Sequence, residues 1–461
     1  MSFILYDVAF LVVFTLAVAG FLYARRKNLK REGLLYLYRT KFGLKVINSF
    51  SKKYEKILMP LQYVMVASGY ALMAFMLYVL GKFSYAYLTS DIIAKSIKMP
   101  VVMPLIPYLP ELFKIDYLPP FYFTYWIIII AIIAIPHEFA HGIIAKLNKI
   151  RILSTGFGFL GPFLAAFVEQ DDKQMKKAKK FSQLSVLAAG TFANVICAAL
   201  FALILWLFFA SAFTPAGVNF NTYAVSAVNK SDISIVSFAS PETPQNFTFA
   251  MISAGNTSYF ADKTMLDFME RNDTSYAVFY DNSPAFSAKL SGAIAEINGQ
   301  EITSYSKLNQ TLSSYSPGDN VEIKTINKDR ALSSCNITLS EKNGKAFLGI
   351  GIIPPKSEGV LSKFYALLSK IKDPAVYYDS RLGDFGIFIF NLLWWIAVVS
   401  ISVALMNMLP AGMFDGGRFF YLTILGITRK EKIAKAAFKA VTWILLALLA
   451  LLLVKWILAV F

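Results

Sequence analysis

His137, Glu138 and His141 stand in the order His-Glu-x-x-His inside Trp126–Leu147, WIIIIAIIAIPHEFAHGIIAKL. On a helix, residues four apart share a face, so both imidazoles can hold one Zn2+ while Glu138 reaches a water beside it. The chain has only two histidines and both are in this motif. Two histidines scattered at random, with a glutamate beside the first, meet this pattern on the order of less than once in a thousand. The stretch is also long and apolar enough to cross a bilayer, where ionisable groups are costly and mark function. The competing reading is two histidines bonded to carbonyls of neighbouring helices.

Two imidazoles do not complete a tetrahedral site, because a catalytic zinc usually takes three protein ligands and leaves one position to water. No histidine remains, and neither Cys197, in an apolar run, nor Cys335, in a polar region, is placed to help. The third ligand is therefore expected to be a carboxylate. Asp415 is the best candidate, in Asn407–Arg418, NMLPAGMFDGGR. Pro410 ends an apolar run there, and Gly416 and Gly417 are expected to allow a sharp turn. The alternatives are Asp415 as a cap of the following helix, and Glu169, Asp171 or Asp172 as rival ligands beside a run of lysines.

These groups need a membrane scaffold. With 56% hydrophobic residues and a mean hydropathy of +0.54 over 461 residues, the chain reads as a membrane protein rather than a large soluble enzyme. Its first residues, MSFILYDVAFLVV, carry no basic segment, and no clear cleavage site precedes Arg25, so they read as a retained span. Six stretches are long enough to span: Phe3–Tyr23, Ile57–Leu80, Phe121–Leu147, Phe181–Phe209, Phe385–Leu409 and Ala436–Phe461.

The connections sort by charge. Residues 24–56 hold eleven Lys/Arg against two acids, 146–180 hold eight against three, and 416–439 hold six against one. Residues 81–120 and 211–383 are balanced, at four against three and fifteen against sixteen. Short basic loops stay in the cytoplasm, which puts both termini and residues 211–383 outside. Six Asn-x-Ser/Thr sequons, at Asn229, Asn246, Asn256, Asn272, Asn309 and Asn336, all fall in that outer segment. In this topology the third and fifth spans both run inward, so His141 and Asp415 reach the same cytoplasmic side. The metal is expected about 10 Å below that surface.

The region between spans three and four, RILSTGFGFLGPFLAAFVEQDD, is broken by Gly156, Gly158, Gly161 and Pro162 and reads as a re-entrant hairpin with a free edge. Beyond Pro215 the chain turns polar. AIAEINGQEI and SPGDNVEIKTI read as strands closed by turns at Asn298-Gly299 and Pro317-Gly318, with a short helix at Ser306–Ser314 between them and a linker at 356–383. The expected division is 1–120 for spans one and two with a basic cytoplasmic loop, 121–210 for a catalytic core, 211–383 for an outer α+β domain, and 384–461 for spans five and six.

HEFAH (His137–His141), GTFAN (Gly190–Asn194) and NMLPAGMFDGG (Asn407–Gly417) together resemble the site-2 protease family of intramembrane zinc metalloproteases, in an archaeal-type form. The hairpin ending AFVE (Ala166–Glu169) resembles that family's re-entrant element. Ser283–Ile302 resembles a PDZ domain, although residues 216–275 show no PDZ start. The resemblance implies an α-helical polytopic membrane protein of about six spans with a PDZ-like insert. It further implies one Zn2+ per chain on His137, His141 and Asp415, Glu138 as the catalytic base, and regulated cleavage of membrane-protein substrates at their transmembrane segments. Asn194 and Asn407 are candidates to hold the substrate backbone or the oxyanion. A metal transporter, a non-enzymatic membrane adaptor and a protease class with a downstream glutamate ligand are the rivals. The basic loops suit anionic headgroups of the bilayer and do not suggest nucleic acid.

Overall fold

Among the described residues, six helices are long and apolar enough to cross a membrane: α1 (Phe3–Ala24), α2 (Glu55–Thr89), α3 (Phe123–Leu147), α4 (Lys180–Ala212), α5 (Gly383–Asn407) and α6 (Glu431–Val460). The computed structural model describes residues 3–33, 35–90, 104–113, 115, 118–161, 163–239, 249–271, 274–327, 330–352 and 372–460. Pro162, the sequons at Asn246 and Asn272, and most of the expected linker lie outside these residues. The chain divides into two compact units, Met1–Leu207 with Phe388–Phe461, and Phe208–Ile387.

In the spanning unit the outward helix faces are apolar, with Leu5, Val13 and Leu16 on α1 and Leu203 and Leu207 on α4 exposed. Such faces suit hydrocarbon, where only the backbone must be hydrogen-bonded internally. α3 instead buries Ile129, Ile133 and His137, a stripe at four-residue spacing that carries the first histidine into the protein. Val186 and Ala188 from α4, Met65 from α2, Met408 and Phe419 pack around its inner half.

Two polar arrangements hold α3. Its N-cap residue Tyr122 offers no side-chain cap. Asp7, buried in the second turn of α1, does so from another helix: its carboxylate accepts the N–H of Phe123 at 2.7 Å and of Thr124 at 3.0 Å, and the hydroxyl of Tyr108 at 2.6 Å. This satisfies two of the four orphan donors of the helix start. Further along, Pro136 lies inside α3 and leaves the carbonyl of Ile132 without its helical donor. The thiol of Cys197, on α4, points at that carbonyl from 3.9 Å.

The hairpin after α3 forms as β3 (Ile152–Leu160) and β4 (Phe163–Gln170). The segment expected to be only a basic loop is folded as well. It forms β1 (Leu29–Glu32), β2 (Leu35–Thr40) and the helix Phe42–Lys53. The alternating LYLYRT of β2 pairs with β3, Tyr36 opposite Phe159 and Thr40 opposite Thr155, and the sheet order is β1-β2-β3-β4. The hairpin therefore has one free edge, not two: β2 covers β3, and only the outer edge of β4 remains. Gly156 explains its own presence, because a Cβ there would strike the Tyr38 carbonyl of β2.

The second unit is β-rich. Its larger sheet runs in the order Leu332–Thr338, Asn320–Ile326, Ala293–Ile297, Phe213–Val218 and Val376–Ser380, with Gln300–Glu301 hairpinned onto Ala293–Ile297. Asn298 and Gly299 form that turn with φ of 46° and 80°, the paired positive values a tight two-residue hairpin requires. The helix Tyr305–Leu312 lays Leu308 on a core of Val218, Ile294, Ile297, Val321 and Ile323. A second sheet, in the order Val225–Asn229, Tyr276–Asp281, Thr257–Ala261, Phe249–Ala254 and Ile233–Ala239, has its own small core of Val228, Ile252 and Phe279. This sheet occupies the stretch that shows no PDZ start.

Candidate metal centre

His137 and His141 sit one turn apart on α3, and their Nε2 atoms approach to 3.1 Å. Asp415 is the first residue of the helix Asp415–Thr428, and no side chain caps that helix. Its Oδ2 lies 3.3 Å from His141 Nε2 and 3.6 Å from His137 Nε2. The capping alternative for Asp415 is thus not the arrangement adopted. Bonds of about 2.0–2.1 Å to a tetrahedral zinc set neighbouring ligand atoms roughly 3.3 Å apart. The three observed separations bracket that value, so this donor set fits a single tetrahedral metal.

The second nitrogens of the two rings are also held. His141 Nδ1 lies 2.7 Å from the Val186 carbonyl. That contact selects the tautomer with hydrogen on Nδ1 and a free Nε2. His137 Nδ1 lies 3.0 Å from the side-chain amide of Asn194. The Asn194 Oδ1 is buried with no other partner. The two amide atoms exchange by a half-turn, and a metal-ready His137 carries hydrogen on Nδ1, for which Oδ1 is the fitting acceptor. The orphaned oxygen is thus accounted for when His137 presents Nε2 inward.

Small residues make the room. A Cβ at Gly190 of α4 would come within 2.7 Å of His137 Nε2 and collide with His141 Nε2. Gly190 is therefore needed at the centre. Gly416 and Gly417 act in a similar way. They are helical, not turned, and a Cβ on either would overlap the backbone of Met408–Ala411. The expected sharp turn is replaced by close contact, which draws Asp415 against the end of α5.

Glu138 follows His137 on α3 and reaches the hairpin. Its Oε2 accepts the N–H of Val168 on β4 at 3.1 Å, which ties the free-edge strand to the carboxylate beside the candidate metal ligands. The rival carboxylates are engaged elsewhere. Glu169 pairs with Arg39 at 3.0 Å and accepts the Ser154 hydroxyl. Asp171 caps the helix Asp172–Lys177, which Asp172 begins. Asn194 is brought to the histidines. Among the described residues no hydrogen bond joins Asn407 to them; it ends α5 and lines a cavity of about 480 Å3 with Trp394, Trp395 and Phe83. Asp7 and the Val168 amide are the features the motifs do not announce. An acid alone in the first span is the one available signal for Asp7.

The chain is similar to "Zinc metalloprotease RasP" of Shouchella clausii, 26% identical over 179 residues, which is 32% of this chain and 42% of that protein. It is also similar to "Regulator of sigma-W protease RasP" of Bacillus subtilis, 26% identical over 209 residues, 39% of this chain and 50% of that protein. The chain spans half or less of the length of these curated relatives. The model of Peptidase family M50 matches residues 125–452, from the start of α3 into α6 and through every residue of the centre. The resemblance read from the three motifs is borne out: the chain belongs to peptidase family M50.

Proposed function

We propose that this protein is an intramembrane zinc endopeptidase that hydrolyses peptide bonds within or near the transmembrane segments of other membrane proteins. The observation that carries the reading is the convergence at tetrahedral spacing of His137 and His141, on an apolar spanning helix, with Asp415, the first residue of the helix that follows α5. Those three would hold one Zn2+, which supplies Lewis-acid polarisation of the scissile carbonyl and lowers the pKa of a water. Glu138 removes the proton of the attacking water and delivers it to the leaving amine. Asn194 orients His137, in addition to its proposed contact with the substrate backbone. Asn407 remains a proposed contact for the substrate or oxyanion.

A helical substrate hides its carbonyls, so it is held extended along β4. In an antiparallel ladder, successive residues point their N–H and C=O groups alternately to either side. Val168 directs its N–H away from β3, toward Glu138. Ala166 and Leu164 then face the same free side, opposite Phe157 and Phe159 in register. They are the groups offered to a substrate strand. The basic connections set the centre toward the cytoplasm of a multi-pass membrane protein, with both termini and residues 211–383 outside. The outer segment is a PDZ-like module there, and the bilayer itself is a partner.

The test is cleavage of a loosely helical single-span peptide by the purified zinc-loaded protein, beside Glu138→Gln. Turnover is expected to fall by about 10²–10⁴-fold in the variant and to disappear in the wild type with chelator. Equal, chelator-resistant cleavage in both would refute the reading.

A further inference from the structure

The β-rich unit contains a cavity of about 320 Å3 whose chemistry is unlike that of a simple spacer module. Phe220, Tyr223, Phe249 and Tyr280 line it, together with Leu290 and Asp262. The rings of Tyr223 and Tyr280 stand at 85° with centroids 6.3 Å apart, and those of Phe249 and Tyr280 at 78° and 6.0 Å. Phe286 backs all three, with centroids 5.2 to 6.0 Å from theirs. Perpendicular rings on a common support form the walls of a box.

The polar groups of this box are lopsided. The Tyr223 hydroxyl is used, donating to the Leu290 carbonyl at 2.9 Å. Asp262 Oδ1 accepts the N–H of Met265 at 2.8 Å, capping the helix Lys263–Arg271. Among the described residues Asp262 Oδ2 receives only the Tyr280 hydroxyl, at a long 3.4 Å. No ion pair among the described residues engages Asp262. Burial and the adjacent Asp262 raise the Tyr280 phenol above its ordinary pKa, so it stays neutral. The cavity thus offers aromatic faces and a carboxylate oxygen with acceptor capacity to spare, and no cation of its own is paired there. Aromatic faces attract cations through the negative face of the ring, and a carboxylate seeks a charged donor.

We propose that this cavity binds a primary ammonium group on a short alkyl chain, the end of a lysine side chain. The hydrogen-bonding capacity left on Oδ2 favours a primary over a quaternary ammonium, because only the former has N–H to donate. The volume takes the end of one side chain and not a folded segment. The site does not depend on the metal centre, and its test is independent of proteolysis.

The experiment is calorimetric titration of the full-length, detergent-solubilised Glu138→Gln protein with Nα-acetyl-lysine methylamide. The norleucine analogue, which lacks the ammonium, and choline are run beside it. The lysine compound is expected to bind at least about tenfold more tightly than either. Asp262→Asn retains a capping oxygen for Met265 and is expected to lose about that factor. Tyr280→Phe, which keeps the ring face, should bind as the parent does, and Tyr280→Leu should not. That pair decides the matter even if Asp262→Asn fails to fold. Equal binding of the lysine and norleucine compounds, no binding of either, or tighter binding of choline would overturn the proposal.

Discussion

The spanning unit and the β-rich unit place their important side chains by different means. In the first, His137 and His141 are aligned by one helical turn, and each ring is locked by a partner on α4, the Val186 carbonyl or the Asn194 amide. Asp415 is drawn in by glycines that let two backbones touch. In the second, position comes from strand register and tight turns such as Asn298-Gly299, with open space around the turn glycine. The contrast lies in tolerance. Groups around the candidate metal centre have no slack, so a single added methyl group is expected to disturb it. A change in a turn of the module is felt only as stability.

Gly190→Ala probes the crowded side hardest. Its Cβ would overlap both imidazoles, and metal affinity is expected to fall more than about 100-fold, beyond the usual cost of a lost supporting contact. Equilibrium zinc titration reads this directly, and wild-type affinity would mean the rings move aside freely. Asn194→Ala leaves the space open but removes the partner of His137 Nδ1. The expected loss is about 10–100-fold in metal affinity, while Asn194→Asp should retain most of it by keeping an acceptor. On the tolerant side, Gly299→Ala forces a side chain into a left-handed conformation with nothing nearby to clash. It should cost about 1 kcal/mol of module stability in a denaturant melt and leave zinc binding unchanged. Coupled loss of both would break the comparison.

The same contrast explains what was legible in the chain. Helical spacing wrote His137, Glu138 and His141 into five consecutive residues, and the direction expected of two spans from the loop charges put Asp415 on the same side. Asn194 was visible in the GTFAN motif, but its engagement with His137 was not, because nothing in sequence fixes the rotation of α4 against α3. Strand pairing was harder to read. LYLYRT alternates as a strand should, yet it is set among basic residues, and its partner β3 lies more than a hundred positions away. In the five-stranded sheet at 225–281 four strands pair with their neighbours in sequence, and it is Val225–Asn229, which crosses to pair with Tyr276–Asp281, that local pattern does not place. Asp7 acts on the start of α3 across a similar separation.

The central claim is that three side chains from two distant segments form one metal centre. Cobalt substitution tests it most directly, by counting metal per chain and reading its coordination from the visible absorption of the bound ion. One ion per chain with the intense bands of a tetrahedral site is predicted for the wild type and for Glu138→Gln, with loss of that spectrum in His137→Ala, His141→Ala and Asp415→Ala. An unchanged cobalt spectrum in Asp415→Ala would contradict the account.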